Sequence, residues 1–469
     1  MALRGWSWEA AIGPAGLGDR PLLEALEAAM PDETVAATIE ATGTRERRRR
    51  RLPTQVVVTL VVAMGLWASE SMRHVLAEVA AGWREGPASD RAGWQLPSTA
   101  AIVQARQRTG ARLFRELFGA VARPIATAGT GGAFLGGLRL MAIDGTTVDV
   151  ADTPENDRAF GRPTTGRGVG ASPQLRVLAL IETGTHVICD AVIRPSRTGE
   201  VPTALRLLRS VGPGMLLLWD RGFHSYEMVR TTLAQQAHFL GRTKKNVVLR
   251  PTEILPDGSF LARIHPSPEA RRRDEQGIDL RVIEYALDTP AGPGREKYRL
   301  ITSLLDERAF PAERLAATYH ERWEIETALD EVKVHQWAHP RPLRSKHPRE
   351  VVQEVYGLLL AHLAIRTVMY QAARSSGTDP DRLSFTGALR VLRRAIPRAQ
   401  RTPPERLPPF CAGLLTEIAA ERLPPRRPRH NPRAVKRKMS NFPPKRPPPA
   451  ASAPTLPPVA ATSIRILSP

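Results

Sequence analysis

The chain has 469 residues, of which 42% are hydrophobic and 24% charged, values that exclude a wholly disordered or collagen-like protein. Its length predicts two or three folded units plus tails, and its net charge of +20 indicates a polyanionic partner. The two cysteines, Cys189 and Cys411, are far apart in sequence. Neither a disulfide framework nor a cysteine-rich zinc module is therefore expected, and a reducing compartment fits.

Residues 1–128 show helix-period apolar positions and are predicted to form an all-helical N-terminal domain. The longest apolar run, residues 56–68, is too short to cross a bilayer comfortably and is interpreted as a buried helix. The first residues lack the basic-then-apolar order of a signal peptide. We therefore expect a cytoplasmic protein with no membrane partner.

The segment 98–122 predicts a helical pair that carries Arg106, Arg108 and Arg112. These arginines allow two interpretations, a helix-turn-helix that reads DNA or a solvated basic helix. The Gly-rich stretch 129–137 then interrupts the helical pattern and predicts a linker.

From residue 138 the apolar pattern changes to that of strands. Residues 138–150, 173–182 and 185–194 are strand candidates, and the last two form a hairpin around Thr183-Gly184. A helix over 202–208, a strand over 215–219 and a helix from Ser225 are predicted to follow. This mixed order predicts an α/β layer in which helices cover a sheet, within a unit spanning 138–375.

A β-rich insertion is predicted at about 240–305, with strands at 239–243, 247–250, 280–287 and 297–305. Helices are expected over 313–373 and again within a C-terminal helical region, residues 376–423. The tail, residues 424–469, contains 13 prolines and no acidic residue. It cannot bury enough apolar surface to offset its ordering entropy, so disorder is expected.

Two carboxylates follow apolar strand segments. Asp144 comes after LRLMAI and before Gly145, and Asp220 comes after MLLLW and before Arg221-Gly222. Ligand chemistry in open α/β sheets often gathers at such strand ends. An aspartate near glycine is also a common turn former, so each residue taken alone supports both interpretations.

A third candidate lies on a predicted helix. Tyr319, Arg322, Glu326 and Lys333 fall within roughly 60° of one another on a helical projection, along the edge of an apolar stripe. Asp330 shares this face and competes with Glu326 for a catalytic role. The alternative interpretation is a surface row of ion pairs spaced one turn apart.

Together, Asp144, Asp220 and Glu326 resemble the DDE triad of bacterial cut-and-paste transposases. The spacing of the helix row resembles the YREK signature of the insertion sequence 4 group, and IDGT and DRGF resemble that group's two aspartate motifs. The resemblance implies a ribonuclease H-like fold with a β insertion before the glutamate. It also implies Mg²⁺ bound by the three acids, with Mn²⁺ able to substitute, and DNA cleavage and strand transfer at insertion-sequence ends.

The same resemblance implies double-stranded DNA partners, namely terminal inverted repeats and target DNA. It further implies a homodimer in a synaptic complex, and a bacterial, nucleoid-associated location. Two alternatives stay open: a catalytically silent, domesticated DNA-binding protein, and a ribonuclease H-like nuclease that only hydrolyses. The candidate DNA contacts are Tyr319, Arg322, Lys333, Arg221, Lys244 and Lys245.

Some relatives form a DNA hairpin and stack a flipped base on a tryptophan of the β insertion. Residues 240–310 of this chain contain no tryptophan, and their aromatic residues include Phe260, Tyr285 and Tyr298. Either no hairpin forms, or another aromatic residue takes that role.

Overall fold

The computed structural model describes most, but not all, of the chain. It comprises residues 29–48, 50–80, 95–165, 168–244, 246–288, 297–320, 323–337, 341–399, 402–423 and 463–468. The α-helices are α1 (Asp32–Ala41), α2 (Thr54–Leu66), α3 (Met72–Val79), α4 (Thr99–Thr109), α5 (Arg112–Val121), α6 (Pro154–Phe160), α7 (Glu200–Ala204), α8 (Tyr226–Ala234), α9 (Pro268–Arg273), α10 (Ala312–His320), α11 (Trp323–Asp330), α12 (Pro348–Ser376), α13 (Phe385–Ala399) and α14 (Leu407–Ala420). The strands are β1 (Phe134–Leu135), β2 (Leu138–Asp149), β3 (Thr164–Thr165), β4 (Gly168–Val169), β5 (Gln174–Glu182), β6 (Ile188–Pro195), β7 (Met215–Trp219), β8 (His238–Arg242), β9 (Glu253–Ile254), β10 (Phe260–Ile264), β11 (Ile278–Asp288), β12 (Lys297–Thr302) and β13 (Ser463–Ile466).

One mixed sheet organises the unit predicted over 138–375, with the strand order β6-β5-β2-β7-β8-β12-β11-β10-β9. The first three strands are antiparallel, whereas β2, β7 and β8 run parallel to one another. Three antiparallel strands followed by two parallel ones fit the ribonuclease H-like core expected from the sequence. The predicted hairpin between β5 and β6 is confirmed.

The β insertion is less separate than predicted. The segment 239–243 is not an insertion strand: most of it belongs to β8, the last parallel strand of the core. Strand β12 then pairs antiparallel with β8, so the insertion extends the core sheet. The prediction of a strand at 247–250 is wrong, because those residues form a loop. A short apolar run does not by itself show whether the segment forms a strand that pairs with a neighbouring strand.

One local helix also differs from its prediction. In place of a single helix over 202–208, α7 is followed by a short 3-10 helix, Leu207–Ser210. Its Leu207 and Leu208 are buried, so the segment still covers the sheet.

Apolar helices from both ends of the described chain form a second layer. Helix α2 is buried, as predicted for residues 56–68, and packs along α12. Among the described helices, α12 is the one that is long and apolar enough to cross a membrane. However, 89% of its apolar stretch is buried inside the fold, as expected of a core helix.

Arg106 does not belong to an exposed DNA-reading surface. Its side chain is buried, with Nε donating to Gln353 Oε1 at 2.7 Å and Nη2 donating to Ser345 Oγ at 3.0 Å. Burial lowers the pKa of this guanidinium. Arg106 therefore ties α4 to α12, while Arg108 and Arg112 are exposed.

Two segments are more ordered than predicted. Within the expected 129–137 linker, Ala133 is fully buried and β1 pairs with β2. Disorder is the wrong prediction for Ser463–Ile466, which pairs antiparallel with β11. There Arg465 donates to both carboxylate oxygens of Asp288, at 2.7 and 2.9 Å. The predictions for residues 1–28 and 424–462 lie outside the described residues.

Candidate functional site

Two of the three candidate acids lie on neighbouring strands of the core. Parallel pairing aligns Ile143 of β2 with Trp219 of β7, and the next residues are Asp144 and Asp220. Adjacent strands are about 4.8 Å apart, so these two residues start from neighbouring backbone positions. Both are half-buried. The structure thus brings together two acids that are 76 residues apart in sequence.

Local contacts fix the backbone at both acids. Asp144 lies within β2 and not at its end as predicted, whereas Asp220 directly follows β7. Asp144 Oδ1 accepts a hydrogen bond from the backbone N–H of Gly145 at 2.7 Å. The backbone carbonyl of Asp220 accepts from the N–H of Phe223 at 3.0 Å, which closes a turn. Trp219, fully buried, stacks on Phe239 of β8 with ring centroids 5.1 Å apart. The backbone that carries Asp220 is therefore held by the packing of the preceding residue.

Tyr319, predicted to contact DNA, is buried in this structure. It lies at the end of α10, and its side chain is only 2% exposed. Its hydroxyl donates to the backbone carbonyl of Trp219 at 3.4 Å. In this structure Tyr319 thus braces the strand end next to Asp220, away from solvent where a DNA backbone would lie.

The helix that carries Glu326 is not the single straight helix that the projection assumed. Helix α11 includes the main chain of Glu326, and the structure does not describe that side chain. It continues as a π-helical turn, Glu331–Gln336, which contains a half-buried Lys333. Such turns are rare and often occur at functional sites. The wider turn moves Lys333 away from its α-helical angle.

Helix α11 and the π turn pack on the strand of Asp144. Leu329 and Val332 line a small apolar cavity together with Thr146 and Val148 of β2. Lys333 also borders this cavity. Asp330, the competing acid, is exposed. The structure therefore places the helix of Glu326 against the strand of the first aspartate.

The candidate DNA contacts have different outcomes. Arg221, directly after Asp220, and Lys244, two residues after β8, are both exposed. Arg322 and Lys245 lie outside the described residues. His224, four residues after Asp220, has a pKa lowered to about 4 by burial and by the nearby charge of Lys244.

The insertion's aromatic residues offer little free ring surface. Phe260 and Tyr285 are buried, while Tyr298 is half-buried. Tyr298 stacks on Tyr285 with ring centroids 5.1 Å apart, and the guanidinium of Arg242 lies 4.5 Å from its ring centroid. A base could stack on Tyr298 only if Arg242 moved.

The donor set suits a hard divalent cation. Carboxylate oxygens are the protein ligands that Mg²⁺ and Mn²⁺ prefer. Among the described side chains, no group of three or more His, Cys, Asp or Glu is placed to bind a metal. Asp144 and Asp220 are the described candidate acids at neighbouring strand positions.

Two family models match this chain. Residues 20–119 match the family described as insertion element 4 transposase N-terminal, and residues 135–364 match the transposase DDE domain. The chain is 29% identical over 420 residues to transposase InsG for insertion sequence element IS4 of Escherichia coli (strain K12), covering 88% of this chain and 91% of that protein. It is 29% identical over 229 residues to the putative transposase InsZ of the same organism, covering 48% of this chain and 73% of that protein.

Among solved structures, the chain is similar to a piggyBac transposase in a cryo-EM synaptic complex with hairpin DNA. The TM-score is 0.44 at 12% identity, with 85% of each chain covered. The two family matches and the long alignment to InsG identify the chain as a member of the insertion sequence 4 family of DDE transposases, enzymes that cut and join DNA in transposition.

Proposed function

We propose that this transposase frees and joins the ends of an insertion sequence at one site formed by Asp144, Asp220 and Glu326. One observation carries the proposal: parallel pairing of β2 with β7 sets the two aspartates side by side. Helix α11, which contains Glu326, packs on β2. Glu326 precedes Leu329 by three residues, so it is one helical turn from a side chain that faces β2.

DDE transposase domains work with divalent metal ions, and we propose Mg²⁺ here, with Mn²⁺ as a substitute. Bound between the three acids, a pair of such ions would activate an oxygen nucleophile and neutralise charge on the scissile phosphate. Asp144, Asp220 and Glu326 would hold them. The Gly145 N–H bond to Asp144 orients that carboxylate in advance.

The first reaction would use water to release a 3′-hydroxyl at the element end, and that hydroxyl would then attack a second phosphodiester. One site can perform both steps because the bond that breaks is of the same type and only the nucleophile differs. The protein must also compensate the phosphate charge. Exposed Arg221 and Lys244 are proposed for this role, with Arg322, Lys245 and Lys333.

We further propose a homodimer that holds two terminal inverted repeats together with target DNA in a synaptic complex, because joining two ends requires two sites. The chain would divide into a helical DNA-binding and assembly domain to residue 128, a connection over 129–137, the catalytic domain to 375, a helical region to 423 and a basic tail. We place the protein in the bacterial cytoplasm, associated with the nucleoid.

A strand-transfer assay with labelled terminal repeats and Mg²⁺ tests the proposal. Asp144→Asn should abolish cleavage and joining while DNA binding is retained. Asp149→Asn is the matched control on the same strand, because Asp149 accepts a hydrogen bond from Gln174 at 2.7 Å and has no proposed catalytic role.

The same assay separates Glu326 from Asp330, since Glu326→Gln should be inactive and Asp330→Asn active. Binding without cleavage by the unaltered protein would favour a silent DNA-binding protein. Cleavage without joining would favour a nuclease that only hydrolyses. Full activity of Glu326→Gln would contradict the proposed triad.

A further inference from the structure

We infer that Glu331 is a positioning residue for the reaction: with its buried partners it fixes the end of the helix that carries Glu326. This inference rests on the catalytic role proposed for Glu326. Glu331 lies five residues after Glu326 and begins the π-helical turn. It is only 3% exposed, whereas the preceding Asp330 is exposed. A buried carboxylate at this point of a helix requires specific partners.

Those partners surround both carboxylate oxygens. Glu331 Oε2 accepts from Arg366 Nε at 2.8 Å and lies 3.1 Å from His362 Nε2. Its Oε1 accepts from Arg366 Nη2 and lies 3.3 Å from His186 Nδ1. All three partners are buried. With both oxygens engaged, Glu331 itself is not a candidate metal ligand.

Three distant parts of the chain meet at this cluster. His362 and Arg366 lie one turn apart on α12. His186 lies in the turn between β5 and β6, with a φ of 58°. A non-glycine residue in the left-handed region persists when surrounding contacts require it, and such residues concentrate at functional sites. The cluster thus connects the helix of Glu326 to the core hairpin and to α12.

A second buried contact holds the other end of the π turn. Gln336 is 1% exposed, and its Nε2 donates to the backbone carbonyl of Leu358 on α12 at 2.9 Å. The N–H of Trp337 reaches back five residues to the carbonyl of Val332 at 3.0 Å. Glu331 and Gln336 therefore attach both ends of the turn to neighbouring elements, which sets the axial position of α11 against β2.

The contact depends on charge as well as on shape. Burial alone would raise the pKa of Glu331, but Arg366, His186 and His362 outweigh it and hold that pKa well below its usual value. A glutamine at 331 keeps the volume but replaces one acceptor oxygen by an N–H donor, which would face the guanidinium of Arg366. The end of α11 should then shift, and Glu326 with it.

The test measures Mn²⁺ affinity of the transposase–DNA complex by calorimetry, together with the Mg²⁺ concentration that half-saturates cleavage. For Glu331→Gln we expect the Mn²⁺ dissociation constant and the half-saturating Mg²⁺ concentration both to rise about 10–100-fold, the range typical when a group that orients a metal ligand is lost. Affinity for the terminal repeat should not change. Asp190→Asn is the matched control: Asp190 is a buried carboxylate on edge strand β6, and its two oxygens accept from Arg209 at 2.8 and 2.9 Å. It should lower Tm without changing Mn²⁺ affinity.

Wild-type Mn²⁺ affinity in Glu331→Gln, or an equal change in Asp190→Asn, would overturn the inference and leave a purely structural role. If Glu331→Gln does not fold, Glu331→Asp retains the charge and shortens the side chain, and it should weaken Mn²⁺ binding in the same direction. Wild-type affinity in that folded variant would equally overturn the inference. An unaltered protein that binds DNA but neither binds Mn²⁺ nor cleaves would refute the proposed function itself.

Discussion

Replacing Gly241 by alanine should damage both stability and catalysis, because Gly241 pairs with Trp219 immediately before Asp220. An added Cβ would lie 2.8 Å from Trp219 Cδ1 and closer still to Nε1 and Cε2, where an ordinary contact is 3.4–4 Å. The ring cannot retreat easily, since it is fully buried and stacked on Phe239. Overpacking of this kind costs about 1–3 kcal/mol.

That cost corresponds to a fall in Tm of about 2–12 °C, at about 2–4 °C for each kcal/mol in domains of this class. Because the displaced residue adjoins Asp220, cleavage should fall further, by up to about 100-fold for a 1 Å misplacement. Calorimetry and single-turnover cleavage would measure the two effects. Gly119→Ala is the matched control, since an added Cβ there meets no atom within 4 Å. Wild-type Tm and rate in Gly241→Ala would show that the ring has room to move.

Three further outcomes are expected. Arg106→Met should lower the free energy of unfolding by at least about 2 kcal/mol, because it leaves buried polar groups without a hydrogen-bond partner. The control Arg108→Met should change that free energy by less than about 0.5 kcal/mol. Equal losses for the two variants in denaturant titrations would contradict the burial of Arg106. Tyr319→Phe should lower the cleavage rate constant through lost bracing of the Trp219 carbonyl, and a raised Kd for the terminal repeat would instead indicate a DNA contact. The lowered pKa of His224, about 4 against an ordinary 6.5, means that between these pH values only the unfolded chain binds its proton. Stability should therefore fall as pH falls through this window, and His224→Asn should flatten the Tm profile; parallel profiles would count against the buried neutral imidazole.

Local patterns predicted the strands of the core well. The alternation in 138–150 and the turn at Thr183-Gly184 depend on nearby residues, so the three antiparallel strands and their hairpin could be predicted. Strand β8 was assigned to the insertion because its partner β7 is separated from it by a helix, and parallel pairing leaves little local signal. The pairing of β13 joins residues 177 apart and could not be predicted locally.

Buried charges were the main feature that the sequence did not reveal. Arginine and glutamate are almost never fully buried unless they are paired. The partner of Arg106, Gln353, is 247 residues away, and Arg366 is 35 residues from Glu331. The π turn at Glu331 depends on those distant contacts, so a straight helical projection misplaced Lys333. Asp144 and Asp220 could be proposed because each follows an apolar run, a signal present in the local sequence, although the structure continues β2 past Asp144 to Asp149.

The most direct test of the central claim is a crystal structure of the transposase bound to its terminal repeat and Mn²⁺, with anomalous diffraction to locate the metal. Shared cation binding predicts two anomalous peaks about 3.5–4 Å apart, coordinated by carboxylate oxygens of Asp144, Asp220 and Glu326. Metal peaks that Asp144 or Asp220 does not coordinate would contradict the claim of a shared cation site. A Glu326 carboxylate that coordinates neither ion would also contradict it.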